Sequence, residues 1–87
     1  MYKIVFSKQA SKDRINIKAA KLEDKARALL HLLSEDPYRN PPPFESLKGN
    51  LKGYYSRRIN YQHRLVYEVL EDEKTVHILR MWTHYSK

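Results

Sequence analysis

An α+β domain in the order β-α-α-β-β-β, with a helical hairpin packed on a small antiparallel sheet, is predicted by three features of this 87-residue chain. Two stretches of helical periodicity follow a short apolar strand. A proline-rich break then interrupts the pattern. Beyond it, three runs rich in β-branched and aromatic residues alternate with turn signals.

Residues 2–6 read as a strand, because Tyr2, Ile4, Val5 and Phe6 favour a pleated, half-buried surface. Ser7 is placed to cap a helix over residues 8 to about 20, whose weak apolar stripe is Ala10, Ile17 and Ala20 and whose other faces carry Lys8, Lys12, Arg14 and Lys18. A stronger helix spans residues 21 to about 36, where Leu22, Ala26, Leu29, Leu30 and Leu33 fall on one face. Pro37 ends it. The two helices are nearly contiguous, so a break near residues 20–22 folds them into an antiparallel hairpin.

Residues 37–50 form a loop, which Pro41, Pro42 and Pro43 stiffen as an extended polyproline II segment that delivers Phe44, Glu45, Ser46, Leu47 and Lys48 toward the strands. Gly49 and Gly53 flank the entry to the sheet. Strands over residues 54–59, 63–70 and 75–82 then make an antiparallel meander, with turns at 60–62 and 71–74. No repeat or linker divides the chain, so residues 1–87 are expected to form a single domain.

Composition narrows the partners. The formal net charge is +7, which points to an anionic partner: nucleic acid, an acidic protein or a membrane surface. The chain has no cysteine, which removes disulfide frameworks, thiolate metal sites and cysteine nucleophiles and fits a reducing compartment. Its start turns polar too soon for a signal peptide, and no apolar run approaches the roughly 20 residues of a membrane span. A cytoplasmic protein with no membrane association is the expectation.

Chemistry concentrates in the second half. A three-residue turn at 60–62 sets Arg58 opposite Arg64 on one sheet face, while Arg57 and His63 point to the other face, away from any chemistry. Opposed cations repel, so this pair serves either an anion or a solvated basic face with partners such as Glu68 or Glu71. Glu45 lies among five cations (Lys48, Lys52, Arg57, Arg58 and Arg64) and is the only carboxylate between positions 45 and 67. Such surroundings favour the ionised form that a general base needs, although taken by itself the residue reads more readily as an ordinary loop carboxylate in a surface ion pair. His84 and Tyr85 follow the last strand, where an imidazole titrating near ~6.5 can donate a proton, or where the chain can simply fray. His31, His63 and His77 lack metal-ligand spacing, and the chain has no phosphate-cradling glycine loop, nucleophile elbow or carboxylate cluster. No metal or cofactor is expected.

Glu45-x-Leu47-Lys48-x-Asn50-Leu51-x-Gly53, then Ser56-Arg57-Arg58-Ile59, His63-Arg64-Leu65-Val66-Tyr67 and His84-Tyr85, resembles the YoeB/Txe toxins of the RelE/ParE superfamily. The likeness is dense from position 45 to 67 and returns at the tail. It implies a RelE-like fold and a toxin of a type II toxin–antitoxin system. Such a toxin is an endoribonuclease that cuts mRNA in the ribosomal A site and is silenced by a YefM-like antitoxin. A homodimer is a further assembly that the family allows.

By resemblance, Glu45 takes the general-base position, Arg64 the phosphate-binding position and His84 the general-acid position. Tyr85 takes the terminal aromatic, and Lys48 and Arg58 the supporting cations. The implied reaction is metal-independent: the RNA 2′-hydroxyl attacks the adjacent phosphate, leaving a 2′,3′-cyclic phosphate or 3′-phosphate and a 5′-hydroxyl. The chain departs from the family where Pro43-Phe44-Glu45-Ser46 replaces the usual prolines around the glutamate, in its lysine-rich first helix, and in Ser86 and Lys87 beyond the His-Tyr pair. Two rival readings are a ParE-like gyrase inhibitor that binds without cutting RNA and a non-toxic nucleic-acid-binding module.

Overall fold

Ser7 opens the first helix as the sequence predicts: its hydroxyl oxygen accepts from the Ala10 amide at 3.0 Å while its own hydroxyl donates to the Leu79 carbonyl at 2.9 Å. One side chain thus caps the helix and ties it to the sheet. The computed structural model describes residues 1–84, and of Thr83 and His84 it describes the backbone. The elements are β1 (Lys3–Phe6), α1 (Lys8–Ala19), α2 (Glu23–Glu35), β2 (Glu45–Ser46), β3 (Tyr54–Arg58), β4 (His63–Leu70) and β5 (Thr75–His84). Short 3₁₀ turns at Gly49–Leu51 and Glu71–Glu73 connect them.

The fold is the expected α+β arrangement, with a sheet larger than predicted. Five strands lie in the order β1-β5-β4-β3-β2. β1 joins β5 in parallel and the other pairs are antiparallel, so the sheet is mixed. The fifth strand is the two-residue β2, inside the stretch predicted as loop. β5 runs to His84, two residues beyond the predicted end. Register shifts between Arg64 and Val66 and between Val66 and Tyr67 let β4 and β5 stay paired along that length. α2 begins later than predicted because Lys21 adopts φ 60°, a left-handed conformation that breaks the chain between the helices. The peptide bonds before Pro41 and Pro42 are cis, where the sequence predicts a polyproline II segment.

One face of the sheet carries the helices. Leu65, Tyr67, Val76, Ile78 and Met81 meet Ala10 and Ile17 of α1 and Ala26 and Leu33 of α2 in a single core. Asp13 shares this interior although it is charged. Its Oδ2 accepts from Arg80 Nε at 2.9 Å and from the amides of Met81 and Trp82 at 2.9 and 3.2 Å, and its Oδ1 accepts from Gln9. Burial pushes the Asp13 carboxyl up, but these four donors outweigh it and leave its pKa below the usual value. The carboxylate therefore pins α1 to β5 just before the strand reaches His84.

The candidate RNA-binding face and its acid–base groups

Strand pairing assembles the site on the face opposite the helices. β3 and β4 pair Arg58 with Arg64 and Ser56 with Val66, and β2 sets Glu45 opposite Ser56. Alternation along each strand then gives Glu45, Ser56, Arg58 and Arg64 one common face. The predicted opposition of Arg58 and Arg64 is the register that forms.

The two arginines differ in freedom. The Arg64 side chain is 7% exposed. Its Nη1 donates to Ser56 Oγ at 3.0 Å and to Glu45 Oε1 at 3.2 Å. The Glu45 side chain is 57% exposed, so the pair joins a fixed guanidinium to a carboxylate at the solvent boundary. Arg58 is exposed. Together with Pro42, Pro43 and Phe44, these four residues line a hollow of about 230 Å³. Glu68 and Glu71, the other candidate partners for the arginines, are engaged elsewhere. Glu68 sits 2.9 Å from His77, and Glu71 accepts from the hydroxyls of Tyr2 and Tyr38.

Lys48 is exposed beyond β2, and the residues lining the hollow do not include it. His84 is the last residue of β5, with its backbone opposite His63 and next to the Arg64–Thr83 pair. That register brings its backbone to the end of the sheet where Arg64 begins, while its side chain lies outside the described atoms. Tyr85 lies outside the described residues. His63 itself is buried, and its ring stacks on Trp82 at 3.7 Å between centroids and 14° between planes. The stack clamps β5 to β4 two residues before His84.

Arg57 faces away from the hollow, as predicted, but its surroundings were not foreseen. It is 1% exposed, and four hydrogen bonds hold its guanidinium: to the carbonyls of Pro37, Arg39 and Pro42 and to the Tyr67 hydroxyl. The Tyr67 hydroxyl in turn donates to the Pro37 carbonyl at 2.8 Å. Burial raises the pKa of that hydroxyl against the opposing pull of Arg57, so it stays protonated and able to donate. Phe44 packs its ring 4.7 Å from the Arg57 guanidinium carbon and edge-on to Tyr55. Alternation in the sequence gives the face of Arg57, but no local pattern announces that a loop will cover it.

The chain's similarities agree with this geometry. A family model described as the YoeB-like toxin of bacterial type II toxin–antitoxin systems matches residues 6–85. The chain is 37% identical over 67 residues to Toxin YoeB of Synechocystis sp., covering 77% of this chain and 76% of that one. Among solved structures, the YoeB/ParE toxin from Agrobacterium tumefaciens superposes with a TM-score of 0.85 at 28% identity, covering 95% of this chain and 99% of the other. The YoeB–YefM heterotetramer from Staphylococcus aureus gives 0.80 at 38% identity, with 98% and 99% covered. The YoeB dimer from the same organism gives 0.80 at 38%, with 97% and 98% covered.

Proposed function

Because the chain belongs to the family of YoeB-like toxins of bacterial type II toxin–antitoxin systems, we propose that it is a ribosome-dependent mRNA endonuclease. The observation that carries this reading is the contact between Glu45 and the buried Arg64 at 3.2 Å, on a sheet face that also presents Arg58. A carboxylate beside a fixed guanidinium suits attack of a 2′-hydroxyl on the adjacent phosphate, since one can take the proton and the other can hold the phosphate oxygens.

In this mechanism Glu45 takes the proton from the RNA 2′-hydroxyl. The 2′-oxygen attacks the adjacent phosphorus while the bond to the 5′-oxygen breaks. Arg64 neutralises the charge growing on the non-bridging oxygens, and Ser56 keeps its fork aimed at them. Arg58 and Lys48 hold the flanking phosphates. His84 protonates the departing 5′-oxygen, and Tyr85 stacks on a base or orders the tail. The products are a 2′,3′-cyclic phosphate, or the 3′-phosphate after ring opening, and a 5′-hydroxyl. General base and general acid each contribute roughly 10²–10⁴-fold, and alignment of the codon by the ribosome supplies much of the rest. No step calls for a metal ion.

Residues 1–87 act here as one toxin domain in the cytoplasm, where translating ribosomes supply the mRNA. The S. aureus relative, solved with YefM and as a dimer, supports a YefM-like antitoxin as partner and a homodimer as a second assembly. Purified chain added to ribosomes programmed with a defined mRNA tests the activity. Cuts within the A-site codon, insensitive to EDTA and ending in a 5′-hydroxyl, are expected. Intact mRNA alongside arrested gyrase supercoiling would overturn the proposal in favour of a ParE-like inhibitor.

A further inference from the structure

We propose that Arg57 is the positioning residue for Glu45, acting through the proline strap of residues 37–44; the catalytic half of this inference rests on the function proposed above. A buried guanidinium must have its charge and its donors satisfied. Among the described residues no carboxylate pairs with Arg57; three backbone carbonyls and one hydroxyl accept instead, at 2.8–3.1 Å. The carbonyls come from Pro37, Arg39 and Pro42, so a single side chain gathers a segment that has little regular structure of its own. Prolines supply no amide hydrogen for a ladder, which leaves their carbonyls as the only backbone handle. A planar fork can grip several carbonyls at once, and an ammonium cannot do so with the same geometry.

The strap ends where the site begins. Phe44 lies against Arg57 and Tyr55, on the helix side of the sheet. Successive side chains of an extended chain point to opposite faces. With Phe44 held beneath the sheet, Glu45 must project above it, and the pairing of Glu45 with Ser56 fixes its height beside Arg64. Arg57 and Arg58 are thus neighbours with opposite duties. Arg58 faces the anion, and Arg57 holds the carboxylate's support from behind. The Glu45 side chain is 57% exposed, so its aim depends on how firmly the strap beneath it is held.

Arg57→Lys keeps the charge and removes the fork, and two measurements on the full-length variant test the proposal. In hydrogen exchange, the segment over residues 38–48 is expected to exchange about tenfold faster or more, while the β5 segment over residues 76–82 stays within about twofold of the original chain. In single-turnover cleavage on programmed ribosomes, the maximal rate is expected to fall about tenfold or more with the half-saturating ribosome concentration unchanged. The same substitution made on Glu45→Ala is expected to add less than about twofold, because the group it positions is gone. Should Arg57→Lys fail to fold, Tyr67→Phe, which removes one of the four acceptors, takes its place. Unchanged exchange in the strap overturns the lock. Loosened exchange with an unaltered rate, or a full rate loss persisting on Glu45→Ala, overturns the positioning of Glu45. An original chain that cuts no RNA overturns the proposed function and the kinetic half together, and the exchange result still decides whether Arg57 holds the strap.

Discussion

Glu45 and Arg64 meet at 3.2 Å across the boundary between interior and solvent: the arginine is almost wholly buried and the carboxylate more than half exposed. Such a pair contributes little to folding, since the exposed partner is well solvated, and a value under about 1 kcal/mol is expected. The role proposed for Glu45 and its contribution to stability can therefore be separated. Glu45→Ala is expected to lower cleavage on ribosomes roughly 10²–10⁴-fold with its urea midpoint nearly unchanged. A variant that still cuts at the original rate would remove Glu45 from the chemistry.

Arg58 offers a different signature. It is exposed and lines the hollow, and the proposed function gives it the part of a mobile cation for phosphate. Arg58→Ala is expected to weaken binding to programmed ribosomes and to reduce the slope of log affinity against log salt by about 1. The maximal cleavage rate should change less than the affinity does. A salt slope equal to that of the original chain would mean that Arg58 touches no phosphate.

Asp13 governs stability rather than chemistry. Its folded pKa lies below the unfolded value of about 3.9, so its contribution is complete above that value and is lost as pH falls through the folded one. Asp13→Asn is expected to cost about 2–3 kcal/mol at neutral pH, the loss of charge-assisted bonds to Arg80 and two amides. The deficit should shrink as the solution is acidified below the carboxylate range. Urea titrations of both chains at several pH values check this, and a constant difference would contradict it.

Trp82 holds the end of β5 through its stack on His63. Trp82→Ala is expected to cost about 1–3 kcal/mol and to reduce cleavage by more than that instability explains, because the strand end bearing His84 is no longer clamped. Cleavage measured well below the melting range, on fully folded protein, separates the two effects. Full activity there would show that the clamp serves folding alone.

How much of this was legible follows from the range of each interaction. The leucine stripe of α2 and the alternation through β3 and β4 are local, and a short turn fixes the opposition of Arg58 and Arg64 by counting. The interior place of Asp13 was hidden because its partners on β5 lie 67 to 69 residues away, although its position in the Ala10–Ile17 stripe was a local hint. Nothing in the four residues of β1 says that they will pair with β5 in parallel. β2 was masked by the prolines before it. The extension of β5 to His84 depends on register shifts that no periodicity records. In the candidate site, the shared face of Arg58 and Arg64 was readable, whereas the support of Glu45 by Arg57 depends on a loop folding back over a strand.

The position of β5 between β1 and β4 has a consequence for how the molecule comes into being. Ribosomes build the chain from its first residue, and β5 emerges after every other element of the sheet. Until it inserts, β1 has no neighbouring strand and the carboxylate of Asp13 has no amides to meet. The same late segment carries His84. Under the mechanism proposed above, a nascent chain therefore lacks both its finished sheet and its proton donor until β5 has been made, which spares the message being read.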